Sequence, residues 1–339
     1  MSARTPIRVG VVGLGYWGPN LARNLAMIEG CELAWLCDAD EGARAKLASA
    51  FPGARASGDL EQLLSDPELD AVALATPVPT HARLAARVLD ADKDCFVEKP
   101  LATTVADAQL AVDAAKRSGR VLMVGHLLEY HPAVTRLKRM VDEGELGSLF
   151  YLYGNRVNLG KLRAEENALW SLGAHDVSVV LHLIGEEPVE CVAHGECYVR
   201  DGVQDVVFCY LRFPSGQVAH LHLSWLDPHK ERRITVVGSK RMATFDDMRT
   251  QGKLTVYDKG FDEDASSWGE YITRAGESFS PRISNAEPLR LECEHFIECV
   301  RTRAMPRSDG ANGLRVVRVL EQLQNSLESG AGSARAQDS

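Results

Sequence analysis

The sequence predicts an α/β protein with a doubly wound parallel sheet in its first part and an α+β domain with a large open, mainly antiparallel sheet in its second. Three observations predict this fold class. Apolar runs alternate with helical patterns up to about residue 126, strand-like runs follow one another after about residue 148, and a glycine-rich turn follows the first strand. The length of 339 residues also indicates about two domains.

The first region contains five short apolar runs that are separated by helix-like segments. Such runs are typical of strands that are buried on both faces of a parallel sheet. Thr80 is a candidate N-cap for one of the intervening helices. We place this domain at residues 1–126, with predicted strands at IRVGVV, ELAWLCD, AVALAT, CFVEK and VLMVG.

The second region, residues 127–329, has long strand-like runs with few helices. The turn signals Pro214-Ser215-Gly216 and Gly238-Ser239 join neighbouring runs into hairpins. One helical segment, GAHDVSVVLHLIG, interrupts the strands, and two helices close the domain. The small, polar residues 330–339 predict a disordered tail.

One predicted strand of the second domain, QVAHLHLSWL, has two different faces. Leu221 and Leu223 share one face, and His220 and His222 share the other. The simplest interpretation is a half-buried sheet with one polar side. If no helix covers that side, subunits can meet there, so we expect a homodimer or homotetramer that assembles through this sheet.

Composition excludes several classes of function. A net charge of -9, spread along the chain without an acidic tail, argues against a general nucleic-acid binder, which would need a basic surface. The sequence predicts no membrane association, because it has no apolar stretch of spanning length. The short polar lead before the first strand leaves no room for a signal peptide, so we expect a cytoplasmic protein. We expect no metal site, since Cys191, His194 and Cys197 would alternate between the faces of a strand.

The glycine-rich turn predicts a dinucleotide site. Gly13, Gly15 and Gly18 have the G-x-G-x-x-G spacing between a strand and a helix, where a pyrophosphate can meet the helix N-terminus. Asp38 ends the second strand, 20 residues beyond Gly18, where a carboxylate accepts hydrogen bonds from the adenine ribose. A carboxylate repels a 2′-phosphate, so NAD is favoured over NADP. Arg44 and Lys46, on the next predicted helix, can soften that preference.

The segment VEKPLA ends the fifth strand, at the sheet edge where ligands bind in this fold class. With the glycine turn before it, Gly125-His126 after it and the strand-rich second half, the chain resembles the family of glucose-fructose oxidoreductase, inositol dehydrogenase and MocA. The resemblance covers nearly the whole chain. It implies an NAD(P)-dependent oxidoreductase with a Rossmann-type domain, and it implies that a cis peptide bond precedes Pro100.

The resemblance also implies the residues that act on substrate and cofactor. Lys99 takes the place of the lysine beside the nicotinamide and the reacting hydroxyl, and His175 takes the place of the general base. The position four residues before His175 holds Ser171 where the family commonly has aspartate, so either Asp176 orients His175 instead or the mechanism relies more on Lys99. A surface ion pair between Glu98 and Lys99 is the alternative without a catalytic role. The predicted cofactor contacts are Gly13, Gly15, Tyr16, Trp17, Gly18, Asp38, Thr76, Pro77, His81, Glu98, Lys99 and Pro100.

Hydrogen-bond donors are concentrated before the predicted helix that carries His175. In an acidic chain, such a cluster suits a phosphate, a carboxylate or sugar hydroxyls, although any one of them can equally belong to a solvated loop. The predicted substrate contacts are Lys99, Arg156, Asn158, Lys161, Arg163, Asn167, His175 and Asp176.

The stretch around NALW and HDVSVVLHLIGEEP resembles the branch of the family that acts on nucleotide sugars. The resemblance therefore implies NAD-dependent oxidation of a secondary hydroxyl, the 3-hydroxyl of a UDP-hexose or UDP-hexuronate. Two alternatives use the same fold: a dehydrogenase of a free sugar or inositol, and a reductase of a 3-keto sugar. A non-catalytic nucleotide-binding regulator is a more distant alternative.

Overall fold

A computed structural model describes residues 6–160, 166–263 and 271–334, with side chains up to residue 329. The chain divides into two compact units. The first contains residues 1–130 and 286–318, and the second contains residues 131–285 and 319–339.

The first unit is built on a six-stranded sheet in the order β3-β2-β1-β4-β5-β6, and all of its strand pairs are parallel. This order reverses between β1 and β4, which places a crevice at the carboxyl ends of those two strands. The strands are β1 (Ile7–Val12), β2 (Cys31–Cys37), β3 (Arg55–Ser57), β4 (Ala71–Leu74), β5 (Asp94–Glu98) and β6 (Leu122–Gly125). The predicted doubly wound sheet is confirmed.

Helices accompany this sheet, and one of them comes from late in the chain. The rings of Phe96 in β5 and Phe296 in the helix Pro288–Thr302 (α8) meet edge to face, with centroids 5.7 Å apart. That packing places residues 286–318 in the first unit, whereas the sequence predicts them in the second domain. The helices of this unit are α1 (Gly18–Ala26), α2 (Glu41–Ala50), α3 (Leu60–Leu64), α4 (His81–Asp90), α5 (Val105–Ser118) and α8 (Pro288–Thr302).

The second unit is built on an eight-stranded sheet in the order β14-β13-β12-β11-β7-β10-β9-β8. Within this second sheet, the β7–β10 pair is parallel, and the other pairs among the described strands are antiparallel. Hairpins join β9 to β10 and β11 to β12, as the turn signals predict. The strands are β7 (Leu149–Val157), β8 (Glu190–Glu196), β9 (Val206–Arg212), β10 (Val218–Ser224), β11 (Glu231–Gly238), β12 (Met242–Asp246), β13 (Leu254–Glu263) and β14 (Tyr271–Phe279).

The described residues of the second unit contain the helices α6 (Pro132–Asp142) and α7 (Ala174–Ile184), of which α7 continues a π-helical turn at Leu169–Gly173. A third, α9 (Gly310–Ala334), begins in the first unit and ends in the second. The helix includes residues 330–334, which the sequence predicts as part of a disordered tail. The rest of that predicted tail, residues 335–339, lies outside the described residues.

The β10 strand has the two faces that its sequence predicts. Leu221 and Leu223 are buried, while His220 on the other face is exposed. None of the helices in the described residues combines the length and the hydropathy that a transmembrane span requires. No group of three or more His, Cys, Asp or Glu side chains among the same residues is arranged to hold a metal ion.

Candidate active site

The glycine turn follows β1 and packs against the residue after β4. Gly13 has a φ of +89°, and a Cβ atom there would come within 2.6 Å of the backbone of Ala75. Only glycine fits this position without strain, because it needs both the left-handed backbone and the close approach. The turn is therefore held at the crevice where the strand order reverses.

The same turn leads directly into α1. A Cβ atom at Gly18, the first residue of that helix, would collide with the carbonyl oxygen of Gly13. By contrast, a Cβ atom at Gly15 would meet no atom within 4 Å. No side chain caps α1, its second residue is Pro19, which has no amide hydrogen, and the Asn20 and Leu21 amides donate to the Trp17 carbonyl. The open space beside Gly15 and the glycine backbone at the start of a helix fit the pyrophosphate of a dinucleotide.

Asp38 lies directly after β2 and is half-buried. One carboxylate oxygen accepts a hydrogen bond from the Leu14 amide at 2.6 Å, and the other accepts one from the Asp40 amide at 2.9 Å. A carboxylate has about four acceptor positions, so two remain for ribose hydroxyls. The Arg44 guanidinium donates to the Asp38 carbonyl at 2.6 Å, which places a cation at the same strand end.

Lys99 follows the last residue of β5, and the Lys99–Pro100 peptide bond is cis, as the resemblance implies. Both Glu98 and Lys99 are half-buried rather than solvated on the surface. Burial raises the pKa of the Glu98 carboxyl to about 7, although the neighbouring Lys99 ammonium acts to lower it. The pair thus places a cation and a carboxyl that titrates near neutral pH at the ligand-binding edge of the sheet.

His126 is a neighbour of Lys99 to which the sequence assigns no role. The β5–β6 register pairs Glu98 with Gly125, so Lys99 and His126 are each the first residue beyond that pair. His126 is 1% exposed, and burial, together with the Lys99 charge, lowers its pKa to about 3. It is therefore neutral near pH 7. Its position one residue after a strand end, like that of Lys99, is the sequence signal that could have identified it.

The other predicted cofactor residues lie around the same crevice. Tyr16 is 91% exposed, and its ring stacks on that of Trp17 with centroids 6.4 Å apart. Thr76 and Pro77 follow β4, and the Thr76 hydroxyl lies 2.8 Å from that of Thr80. Tyr16 and Trp17 thus lie in the glycine turn, and Thr76 and Pro77 lie beyond β4 within the same unit.

The predicted second catalytic element lies in α7 of the second unit. His175 is half-buried, and the next residue, Asp176, is fully buried. The Asp176 carboxylate accepts hydrogen bonds from the Arg156 guanidinium of β7, and the exposed fractions of the two side chains are 8% for Arg156 and 1% for Asp176. This buried ion pair binds together two residues that the sequence predicts as substrate contacts.

The predicted donor cluster before α7 is only partly described. Asn158, the first residue after β7, is half-buried. Asn167 is buried, and its amide nitrogen donates to the side-chain oxygens of Gln204 and Gln324, both at 2.9 Å. Its nitrogen is therefore bound within the unit. Lys161 and Arg163 lie outside the described residues.

Two family models match the chain. One, described as an oxidoreductase family with an NAD-binding Rossmann fold, matches residues 7–126. The other, described as the GFO/IDH/MocA C-terminal domain, matches residues 134–244. The chain belongs to the GFO/IDH/MocA family. The resemblance that rests on the glycine turn and the E-K-P segment is confirmed, and this member of the family is an NAD(P)-dependent oxidoreductase that acts on CH–OH groups.

Relatives within the GFO/IDH/MocA family act on different substrates. The chain is 28% identical to scyllo-inositol 2-dehydrogenase (NAD(+)) of Bacillus subtilis, over 88% of each chain. It is also 28% identical to UDP-N-acetylglucosamine 3-dehydrogenase of Acidithiobacillus ferrooxidans, over 95% of this chain and 98% of the relative. A solved structure of the latter enzyme superposes with a TM-score of 0.81 and 26% identity, over 96% of this chain and 99% of the other.

Proposed function

We propose that this enzyme is an NAD-dependent dehydrogenase that oxidises a secondary hydroxyl of a nucleotide sugar, the 3-hydroxyl of a UDP-hexose or UDP-hexuronate. The observation that carries the proposal is the near full-length similarity to UDP-N-acetylglucosamine 3-dehydrogenase, in sequence and in fold. The similarity to scyllo-inositol 2-dehydrogenase favours a second candidate, a dehydrogenase of an inositol or a free sugar. Both candidates use the same chemistry.

We assign the activation of the reacting hydroxyl to two residues: Lys99 binds its oxygen, and His175 accepts its proton. The bound nicotinamide supplies the hydride acceptor. The Lys99 ammonium, at the end of β5 beside Glu98, can hydrogen-bond the hydroxyl oxygen and stabilise negative charge as it develops there. An imidazole can accept a proton near neutral pH, which is the task we assign to His175. Asp176 is bound to Arg156, so the pair can hold the start of α7, next to His175, in place.

Substrate binding is assigned to the donors before α7. Asn158, directly after β7, is half-buried, and Lys161 and Arg163 follow it in the sequence. A diphosphate or a uronate carboxylate suits such a group of cations and amides. Arg156 and Asn167 contribute indirectly in this proposal, because both are hydrogen-bonded inside the unit.

NAD is the proposed cofactor, and Asp38 is the reason. Its carboxylate would accept hydrogen bonds from the ribose hydroxyls and repel a 2′-phosphate, while the nearby Arg44 guanidinium keeps NADP as the alternative. Asp38→Ala is therefore expected to weaken NAD binding by about 10–100-fold and NADP binding much less. Titration with each cofactor, followed by tryptophan fluorescence, measures both. Asp90→Ala, which removes an exposed carboxylate on α4, is the control, and equal losses for the two cofactors would contradict the assignment.

The open face of the eight-stranded sheet is the proposed contact between subunits. Tyr151 is 42% exposed, Phe208 44% and Tyr210 38%, and the Phe208 ring stacks on His222 with centroids 4.5 Å apart. Aromatic side chains are enriched at interfaces between proteins. Sedimentation of the purified protein is expected to give a dimer or tetramer, and a monomer at micromolar concentration would contradict this expectation. A cytoplasmic location remains a prediction from the sequence.

The function is tested by nicotinamide absorbance with a panel of substrates and both cofactors. The panel contains UDP-glucose, UDP-N-acetylglucosamine, the corresponding uronates, free glucose, myo-inositol and scyllo-inositol. We expect a saturable response to one UDP-sugar with NAD, and a product that has lost two hydrogen atoms by mass. A response only to an inositol would establish the second candidate. No product from any member, with protein that binds NAD, would refute both.

A further inference from the structure

His81, the first residue of α4, has both ring nitrogens within hydrogen-bond distance of backbone carbonyl oxygens. Nδ1 lies 2.8 Å from the oxygen of Pro100, and Nε2 lies 2.7 Å from the oxygen of Thr76. The side chain is 1% exposed. Thr76 follows β4, and Pro100 follows Lys99 beyond β5. One buried ring thus connects the segments that leave two neighbouring strands of the cofactor-binding sheet.

The chemistry of the ring limits what it can bind. A neutral imidazole has one N–H group and can donate to only one carbonyl. Burial lowers the pKa of His81, the carbonyl contacts offset this only in part, and the Lys99 ammonium adds to the lowering. A neutral ring must therefore leave one of the two carbonyls without its proton.

The surroundings of the two carbonyls decide which one it bonds. Pro100 is buried, whereas Thr76 is half-buried. A buried carbonyl without a donor costs more free energy than one that water can reach. The proton therefore belongs on Nδ1, where it is donated to Pro100.

We propose that His81 is a positioning residue for Lys99: its Nδ1–H group holds the Pro100 carbonyl, and so fixes the backbone that carries the Lys99 ammonium. The role differs from the cofactor contact that the sequence predicts, because both ring nitrogens already face protein carbonyls. The expected effect on kcat rests on the proposed dehydrogenase function. The hydrogen bond itself can be tested without turnover.

Substitution of His81 by asparagine or by glutamine distinguishes the roles of the two ring nitrogens. The amide nitrogen of asparagine occupies nearly the place of Nδ1, and that of glutamine nearly the place of Nε2. His81→Leu is expected to lower kcat by about 10–100-fold, the effect of a catalytic group displaced by about 1 Å. His81→Gln should lose a similar factor, while His81→Asn should recover most of the loss. The Kd for NAD should stay within about threefold in all three variants, and their unfolding temperatures identify any variant that fails to fold.

Equal kcat values for the asparagine and glutamine variants would overturn the proposal, as would a loss that appears only in NAD affinity. The second measurement is the ¹⁵N NMR spectrum of the histidine rings at pH 7, with the His81 signals assigned by their loss in His81→Asn. A proton on Nδ1 supports the proposal, and a proton on Nε2 alone refutes it. Because this spectrum needs no substrate, a wrong substrate class and a wrong role for His81 give different results.

Discussion

Replacement of Lys99 by methionine is expected to lower turnover by about 10³-fold while NAD stays bound. Methionine keeps most of the length and apolar character of the side chain but removes the ammonium group. The glycine turn, the start of α1 and Asp38 are unchanged by this substitution, so the adenosine and pyrophosphate contacts that we assign to them should persist. Turnover is measured with the substrate that the panel identifies, and NAD affinity by fluorescence.

The matched control for this variant is Lys116→Met, which removes an exposed ammonium from α5 of the same unit. Its turnover should equal that of the parent. If Lys99→Met turned over at the parental rate, the assignment of Lys99 to the reacting hydroxyl would be wrong. If it lost NAD and turnover together, Lys99 would be needed for cofactor binding rather than for the chemical step.

The second large effect is expected in the buried ion pair of the second unit. Arg156→Met leaves the Asp176 carboxylate buried without its cation, which costs about 3–5 kcal/mol when a buried pair is broken. For a unit of this size, the unfolding temperature should fall by roughly 6–20 °C. Calorimetry on the full chain measures this fall in unfolding temperature. Because two units can unfold separately, the shift can be confined to one of two transitions.

Two further variants make this prediction specific. Adding Asp176→Asn to Arg156→Met removes the orphaned charge, and should recover at least about 1 kcal/mol of the loss. Arg212→Met breaks an exposed pair with Glu190, in which the N–O distance is 2.9 Å, and should cost no more than about 1 kcal/mol. An unchanged unfolding temperature in Arg156→Met, or no recovery in the double variant, would show that the pair does not stabilise the unit.

Local pattern explains most of what the sequence predicted correctly. The glycine spacing, the strand before it and Asp38 after it are close together in the sequence, and together they predicted the dinucleotide fold that the family model and the sheet order confirm. The alternation in β10 predicted its buried and exposed faces in the same way. β14 was not predicted: eight of its nine residues are exposed, so its sequence carries no alternation between buried and exposed positions.

Other features depend on segments that are far apart in the sequence. Helix α8 belongs to the first unit because Phe296 packs on Phe96, 200 positions earlier in the chain. The sequence predicted the hydrogen-bond donors before α7 as substrate contacts. In the structure, one of these donors, Arg156, is bound to Asp176 instead. No periodicity or spacing predicts such a partner, because the choice depends on which charges the fold buries together.

The sequence by itself determined the fold class, the glycine turn, the position of Asp38 and the family, since each depends on residue types at fixed short spacings. Only the tertiary structure decided the partners of the buried polar groups. It placed His81 between the carbonyls of Thr76 and Pro100, and it placed His126 beside Lys99 through the β5–β6 register. The physical reason is that a buried polar group must find its hydrogen bonds inside the protein, and only the folded chain determines which donors and acceptors lie within reach.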